Sequence, residues 1–577
     1  MCGISGIVGP DCPSHLIEKM VAAQTHRGPD SSGTFISSSR QCALGHNRLR
    51  IIDLSEAGVQ PMADESGNLR ITFNGEIYNY IELKEKVGAY NYRSQTDTEV
   101  ILAAYRKWGV SCVDHMIGMF AFAIWDETKQ ELFCARDRLG IKPFHYTLQN
   151  ETLFFASEIK AFLAVGITAK PEWKTWNTYL VHGIYDHSED TFFEDIKSLP
   201  PGHTLNFKNG VIKISQYWNL PELAKDALDI SLNEAAEKFR ELMMDSVRLR
   251  LRSDVPLGVN LSGGLDSSSL LAFVDAQNEA ATDLNYFTYA FDDPAYDEID
   301  YADKVPKIKK WHKHVARLNP EQLWDDLDIV MHHQEAPYGG TGSIAYFNLH
   351  RLIKKENVTV VLEGQGVDEL LAGYEYYRKP AAAGVYQDGT SFLRNECLDK
   401  SVTAAAPVFA QPFKSELANR LYRDIRFTKL PRVLRMNDRL SMAFSRELRE
   451  PFLDHRVVEF CFRLPDNFKL NDRQNKILLR EAMKGTLPDA VSQPAKRAVV
   501  TPQREWIRGP LRQNILDLIS SQRFREYGVF NHVEVKKSFD AFCKGEGDNA
   551  FFIWQWINFD SWSQNFIGAQ KSRRDAA

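Results

Sequence analysis

Two short stretches of this chain carry residues that could do covalent chemistry. At the amino terminus it reads Met1-Cys2-Gly3-Ile4. A thiolate attacks carbonyl carbon well, but it needs a base and donors for the oxyanion that forms. Once Met1 is trimmed, the freed α-amino group of Cys2 can be that base, with an unperturbed pKa of about 8 on the nucleophile's own residue. Gly3 keeps the approach open. Met-Cys taken alone is better read as an incidental cysteine or a lipidation site. The second stretch is Ser262-Gly263-Gly264-Leu265-Asp266-Ser267-Ser268, between a strand pattern ending at Leu261 and the apolar run Leu270 to Val274. Its backbone N–H groups converge at a helix start, where an anion is favoured, and its hydroxyls add donors. It lacks the Gly-Lys-Ser/Thr ending of the Walker loop, so γ-phosphate hydrolysis is not expected. A plain glycine-rich turn is the bland alternative. Asp266 and the later pair Asp368-Glu369 offer hard oxygens, which suit magnesium bridging phosphates.

The elements that must position these residues exceed one hydrophobic core. A chain of 577 residues predicts two to four domains. With 44% hydrophobic and 25% charged residues it reads as globular, and a net charge of -6 leaves no footprint for nucleic acid. Small-molecule substrates are expected. The eight cysteines show no CxxC spacing, which argues against a zinc site and a disulfide framework and favours a reducing cytoplasm. No run approaches the roughly 18 apolar residues that span a bilayer, so no membrane partner is expected. Ala381 to Ala383 and the basic tail Lys571 to Arg574 read as solvated.

From the start to about Pro201 the pattern is short strands broken by turns, including Leu69 to Phe73 and Met119 to Trp125. A helix capped by Thr96 or Asp97 places Val100, Ile101, Ala104 and Tyr105 on one face and ends at Gly109. This half is α+β. A helix over Asn233 to Arg252 follows a boundary near residue 225. Beyond it, Val259 to Leu261, Leu284 to Phe291 and Val358 to Leu362 read as strands of a doubly wound parallel sheet, and from about Ala404 helices dominate. We therefore expect one unit over residues 2–210 and a second over 225–577.

Further stretches of the first half are His26-Arg27-Gly28-Pro29-Asp30, Gly45-His46-Asn47-Arg48-Leu49, Phe73-Asn74-Gly75-Glu76-Ile77-Tyr78-Asn79, Thr96-Asp97-Thr98-Glu99 and Ala135-Arg136-Asp137-Arg138-Leu139-Gly140. With Cys2 they resemble the class II glutaminase domain of N-terminal-nucleophile amidotransferases, which implies an αββα sandwich. By that resemblance Arg48 holds the glutamine α-carboxylate, Glu76 and Asp97 take its ammonium group, and Asn74 and Gly75 supply oxyanion donors. Arg27 and Asp30 read as a structural ion pair. The Ser262 loop resembles that of enzymes splitting ATP into AMP and pyrophosphate. Together with Tyr296-Asp297-Glu298, Asn475-Lys476-Ile477 and Glu450-Pro451-Phe452-Leu453-Asp454-His455, the whole chain is similar to the glutamine-hydrolysing asparagine synthetase family. The resemblance implies nucleotide contacts at Leu261, Ser262, Gly263, Gly264, Asp266, Ser267, Ser268, Glu363 and Gly364. It also implies magnesium at Asp266 and Asp368, and Lys476 neutralising the leaving pyrophosphate. Ammonia would pass through an internal tunnel to an adenylated carboxylate, and a homodimer is favoured.

Four positions depart from the family's pattern. Its Leu-Ser-Gly-Glu-Gly-Ser-Asp-Glu signature is here Leu362-Glu363-Gly364-Gln365-Gly366-Val367-Asp368-Glu369, and Glu450 stands where valine is usual. Gln365 cannot accept a proton, which leaves three readings open: Glu363 stands in as the base, the base is dispensable, or the acceptor is not aspartate. The expected activity is amidation of aspartate, with a uronic acid or other carboxylate as the alternative acceptor and a catalytically silent regulator as the third reading. Acceptor specificity is expected around Pro337 to Ser343 and Tyr374 to Arg378.

Overall fold

The computed structural model describes residues 2–277, 284–293, 296, 311–379, 393–492 and 501–568. Asp297, Glu298, Ala381 to Ala383 and Lys571 to Arg574 lie outside them.

Two six-stranded antiparallel sheets form the first half. In spatial order the first runs Lys197–Ser198, His145–Gln149, Thr152–Ala156, Gly3–Val8, Cys42–Arg48 and Ser31–Ile36. The second runs Val211–Gln216, His203–Lys208, Glu131–Arg136, Gly118–Asp126, Leu69–Ile77 and Met62–Ala63. Their facing side chains, among them Ile4, Leu44, Trp125, Phe144, Phe155 and Leu205, are buried as one cluster. Each large ring hidden there contributes about 2 kcal/mol. The helix Ser14–Ala22 covers the first sheet, and Asp97–Trp108 covers the second. The result is an αββα sandwich. Thr96 caps the second helix by accepting from the Glu99 N–H, and Gly109, at φ 58°, ends it where a side chain would be strained. The hairpin His203–Lys208 to Val211–Gln216 carries this unit's sheet beyond residue 210.

The helix Leu232–Arg250 opens the second half with a capping box between Ser231 and Glu234, and buries Phe239, Met243 and Val247. Behind it stands a five-stranded parallel sheet, ordered His312–Arg317, Asn285–Ala290, Leu257–Asn260, Val360–Leu362 and Glu447–Arg449. Of the two outer strands, His312–Arg317 falls in a stretch that the pattern reading leaves unassigned, and Glu447–Arg449 in the stretch that it reads as mostly helical. The helix Phe551–Trp562 is apolar nearly all round because it is buried between both halves, with Gln555 and Asn558 bonding Tyr179 of the first. Among the described residues no helix is long and apolar enough to cross a membrane, and all eight cysteines are unpaired.

Candidate active sites

Cys2 opens the strand Gly3–Val8 and is buried. Its backbone N–H donates to Asn74 Oδ1 at 3.0 Å, which fixes the start of the chain against the neighbouring sheet. The Asn74 Nδ2 group is buried and has no partner among the described residues, so the side chain that holds the Cys2 N–H keeps a donor unfilled. Gly75, at φ 146°, leaves room that only glycine can: a Cβ would lie 2.1 Å from the Met119 carbonyl oxygen. Burial pushes the Cys2 thiol up.

Arg48 is buried, and its guanidinium is held by carbonyls, Ser55 O at 2.7 Å and Asp53 O at 2.5 Å. Gly58 makes way for it. Among the described residues it has no carboxylate within ion-pair distance, which leaves its charge for an incoming carboxylate. Glu76 and Asp97 are both buried. Burial, then the neighbouring carboxylates Glu447 and Asp97, raise Glu76, and burial pushes Asp97 up to about 7. Glu76 Oε2 is without a partner among the described residues, and Asp97 Oδ2 accepts from the Ile77 N–H at 2.8 Å. Two buried carboxyl groups so placed suit a cation.

Arg27 and Asp30 do not pair. The Arg27 guanidinium is fully buried between Glu158, at 2.8 Å, and Asp438, at 2.8 and 3.0 Å, while its Nε donates to Cys2 O at 3.0 Å. Asp30 instead accepts from the Arg50 N–H. Proximity in sequence misleads here because a buried guanidinium needs carboxylates that can reach into the interior, and Asp438 does so from the other half.

In the second half, Ser262 to Gly264 form a turn with Gly263 at φ 74°, from which the helix Leu265–Gln277 springs. Ser262 N and Oγ lie 3.2 and 3.1 Å from Ser267 Oγ, which braces the loop. The Ser268 N–H closes the first helical turn onto Gly264 O, and Leu261 is tied to the adjacent strand through Phe287 O. Gly364 passes so close that a Cβ there would sit 3.1 Å from Asp266 C and Ser267 N. Lys476 is buried. Its Nζ lies 2.7 Å from Asp266 Oδ2 and 2.6 Å from Asp368 Oδ1. The two carboxylates therefore converge on one point, and a Cβ at Gly373 would collide with Asp368. This hard-oxygen pair in a cradle that only glycine leaves open fits magnesium.

Glu363 is buried just past the strand Val360–Leu362, paired with Asn260 at the end of the central strand and accepting from Asn437 Nδ2 at 3.2 Å. Burial pushes it up to about 8, opposed by the Asn260 hydrogen bond and helped by Glu450. Glu450 is buried with Oε2 unpartnered among the described residues, and burial takes it up to about 7 against the pull of Lys142 and Arg250. Gln365 is half-buried. Of the expected specificity residues, Tyr377 donates to Asp424 at 2.7 Å, Tyr376 bonds the same carboxylate, and Tyr374 donates to Glu369 at 2.7 Å, so these hydroxyls are spent on packing. The buried Thr341 hydroxyl has no partner among the described residues.

Sequence reasoning missed the groups between the sites. On the helix Leu430–Met442, Asn437 touches Glu363 while the next residue, Asp438, holds Arg27. Arg439 then reaches Glu158 and Glu335 at 3.1 Å each. Three consecutive polar residues buried inside an otherwise amphipathic helix were the available signal.

A terminal-cysteine sandwich joined to a parallel sheet with a phosphate-type loop defines a two-site amidotransferase class. Residues 1–218 match the glutamine amidotransferase domain family, and residues 238–564 match the asparagine synthase family. The chain belongs to the asparagine synthase family. It is 29% identical to asparagine synthetase [glutamine-hydrolyzing] 1 of Bacillus subtilis, over 97% of this chain and 96% of that one. It is 30% identical to asparagine synthetase 3 of the same organism, over 96% and 95%. It is also 29% identical to amidase chry2 of Gibberella zeae, over 95% and 96%.

Proposed function

We propose that the chain is an ATP-dependent amide synthetase that takes ammonia from glutamine and delivers it to an adenylated carboxylate. The observation that carries this reading is the helix Leu430–Met442, whose adjacent residues Asn437 and Asp438 touch the Glu363 end of the nucleotide site and the Arg27 that holds Cys2. Two sites so joined suit handing over ammonia, which in open water would be protonated and lose its nucleophilicity.

In this mechanism Arg48 receives the glutamine α-carboxylate, and Glu76 and Asp97 hold its ammonium group. The Cys2 sulfur attacks the side-chain carbonyl, its proton passing to the terminal amine, while Asn74 Nδ2 and the Gly75 N–H take the oxyanion. Ammonia leaves and water hydrolyses the thioester to glutamate. In the second half the loop residues Ser262, Gly263, Gly264, Ser267 and Ser268 hold the phosphates, with Leu261 and Gly364 lining the nucleotide. The acceptor carboxylate attacks the α-phosphorus, and Lys476 steadies the departing pyrophosphate. Asp266 and Asp368 would hold magnesium, which supplies charge neutralisation on the phosphates. Ammonia then displaces AMP from the acyl carbon, and Glu363 accepts the proton that the nitrogen sheds.

The simplest acceptor is aspartate. A uronic acid or another carboxylate is the second reading, favoured by Glu363 and Gln365 standing at the reacting end and supported by the likeness to an amidase. Free cysteines suit a cytoplasmic enzyme. The experiment is pyrophosphate release from ATP with magnesium and glutamine, screened over aspartate, glutamate and uronic acids. Dependence on aspartate, with asparagine formed, establishes the first reading. Release with another carboxylate alone moves the acceptor. Silence with all of them leaves a regulator.

Glu363 as the base has a pH signature. Its carboxyl, pushed up to about 8, must ionise to accept a proton, so amide formation should rise as pH passes through about 8. Glu363→Gln should lose that rise and lower amide formation by about 10²–10⁴-fold while adenylation, read by pyrophosphate exchange, changes little. Equal loss in both steps assigns Glu363 to nucleotide binding. The same shift acts on stability. A pKa raised above its unfolded value of about 4.3 gives a contribution that is complete at lower pH and lost as pH rises through about 8. Chemical denaturation of Glu363→Gln should therefore show a flatter pH dependence over that interval.

A further inference from the structure

A cavity of about 350 Å³ opens between the strands of the first half and the helices of the second, away from both Cys2 and the Ser262 loop. Its charge does not balance. Every acidic side chain on its wall already has a basic partner: Asp186 with Arg435 at 2.8 Å, Glu189 with Lys197 at 2.6 Å, Asp190 with Lys174 at 3.2 Å, Glu335 with Arg439 at 3.1 Å and Asp438 with Arg27 at 2.8 Å. Two wall arginines have no carboxylate within ion-pair distance among the described residues. Arg136 spends its donors on the carbonyls of Gly140, Lys142 and Leu199 and on Ser198. Arg426 is half-buried and makes no hydrogen bond or ion pair among the described residues, its guanidinium carbon lying 5.9 Å from the centre of the Phe427 ring.

Two features place donors on this wall. The segment Asp424–Thr428 is π-helical, and its wider turn brings the successive residues Arg426 and Phe427 both onto the cavity wall. His145 is 6% exposed, and its Nε2 lies 3.0 Å from Arg439 Nη2. A guanidinium never accepts, so Nε2 is the acceptor and Nδ1 carries the hydrogen. That Nδ1–H is buried with no partner among the described residues. A buried donor left unfilled costs stability, and so does an excess of positive charge; an oxyanion relieves both.

We propose that this cavity is a binding site, separate from both reaction centres, for a small oxyanion-bearing metabolite whose carboxylate or phosphate ester is received by Arg426 and His145. Its wall residues Asp438 and Arg439 belong to the same buried network as Arg27, so the ligand sits beside the groups that fix Cys2.

The test is calorimetric titration of the full-length protein with citrate, inorganic phosphate and glucose 6-phosphate in turn. At least one should bind saturably, with Arg426→Gln weakening it about tenfold or more. Arg426→Lys, which keeps the charge and loses the planar fork, should weaken it less, and it decides the matter if the glutamine variant does not fold. Binding of citrate alone identifies a carboxylate ligand, and binding of the phosphate probes alone a phosphate ester. No saturable binding by any probe up to about 10 mM, or binding that neither variant weakens, overturns the proposal.

Discussion

Cys2→Ala should abolish glutamine-dependent amide formation, by about four to six orders of magnitude, while synthesis from added ammonium stays within about twofold of wild type. The size follows from the sulfur being the bond-forming atom: Arg48, Asn74 and Gly75 can still bind and polarise glutamine, but nothing else there attacks it. The sparing follows from this residue and the loop at Ser262 standing on different sheets, one in each half of the chain. The alanine also fits the same buried position at the start of the strand Gly3–Val8, so folding is not at issue. Product formation assayed with each nitrogen source checks it. Loss of both activities would mean that no separate glutaminase site exists.

Asp266→Asn should remove most pyrophosphate release, by about 10²–10³-fold, and raise the magnesium concentration needed for what remains. Asparagine keeps the shape and loses the charge. It leaves Lys476 with only Asp368 as a full counter-charge and gives magnesium one hard anionic oxygen fewer. Glutamate production from glutamine should persist, which separates this defect from that of Cys2→Ala. A rate of pyrophosphate release equal to wild type would remove Asp266 from the phosphate machinery.

How much of this was legible depended on whether a residue's partner was local. Thr96 and Gly109 declared their helix because capping and termination are decided within a few residues. The same holds for the turn between Leu261 and the helix Leu265–Gln277. The strand Glu447–Arg449 was illegible: it is short and charged yet fully buried, because Glu447 pairs with Arg449 at 2.6 Å and Arg449 reaches toward Glu76 of the other half. The edge strand His312–Arg317 was illegible for the opposite reason, since its exposure removes the apolar alternation that marks a strand.

At the sites, residue types pointed to chemistry while burial had to come from the fold. Lys476 was legible as a charge near pyrophosphate, and its enclosure by two aspartates came only from the fold. Arg27 looked paired to Asp30, three residues away, and its carboxylates are Glu158 and Asp438. Removing one member of such a buried group typically costs about 3–5 kcal/mol, because the remaining charges stay buried. No pattern within one half predicts a partner 411 residues distant.

The central claim is that the two sites act as one machine, and the most direct measurement follows the nitrogen. With whichever acceptor supports turnover, the enzyme is given glutamine labelled with ¹⁵N at its amide, in the presence of excess unlabelled ammonium, and the product is weighed by mass spectrometry. Channelled ammonia predicts a product carrying ¹⁵N with little dilution. A product whose label is diluted to that of the bulk ammonium would contradict a joined path from Cys2 to Glu363.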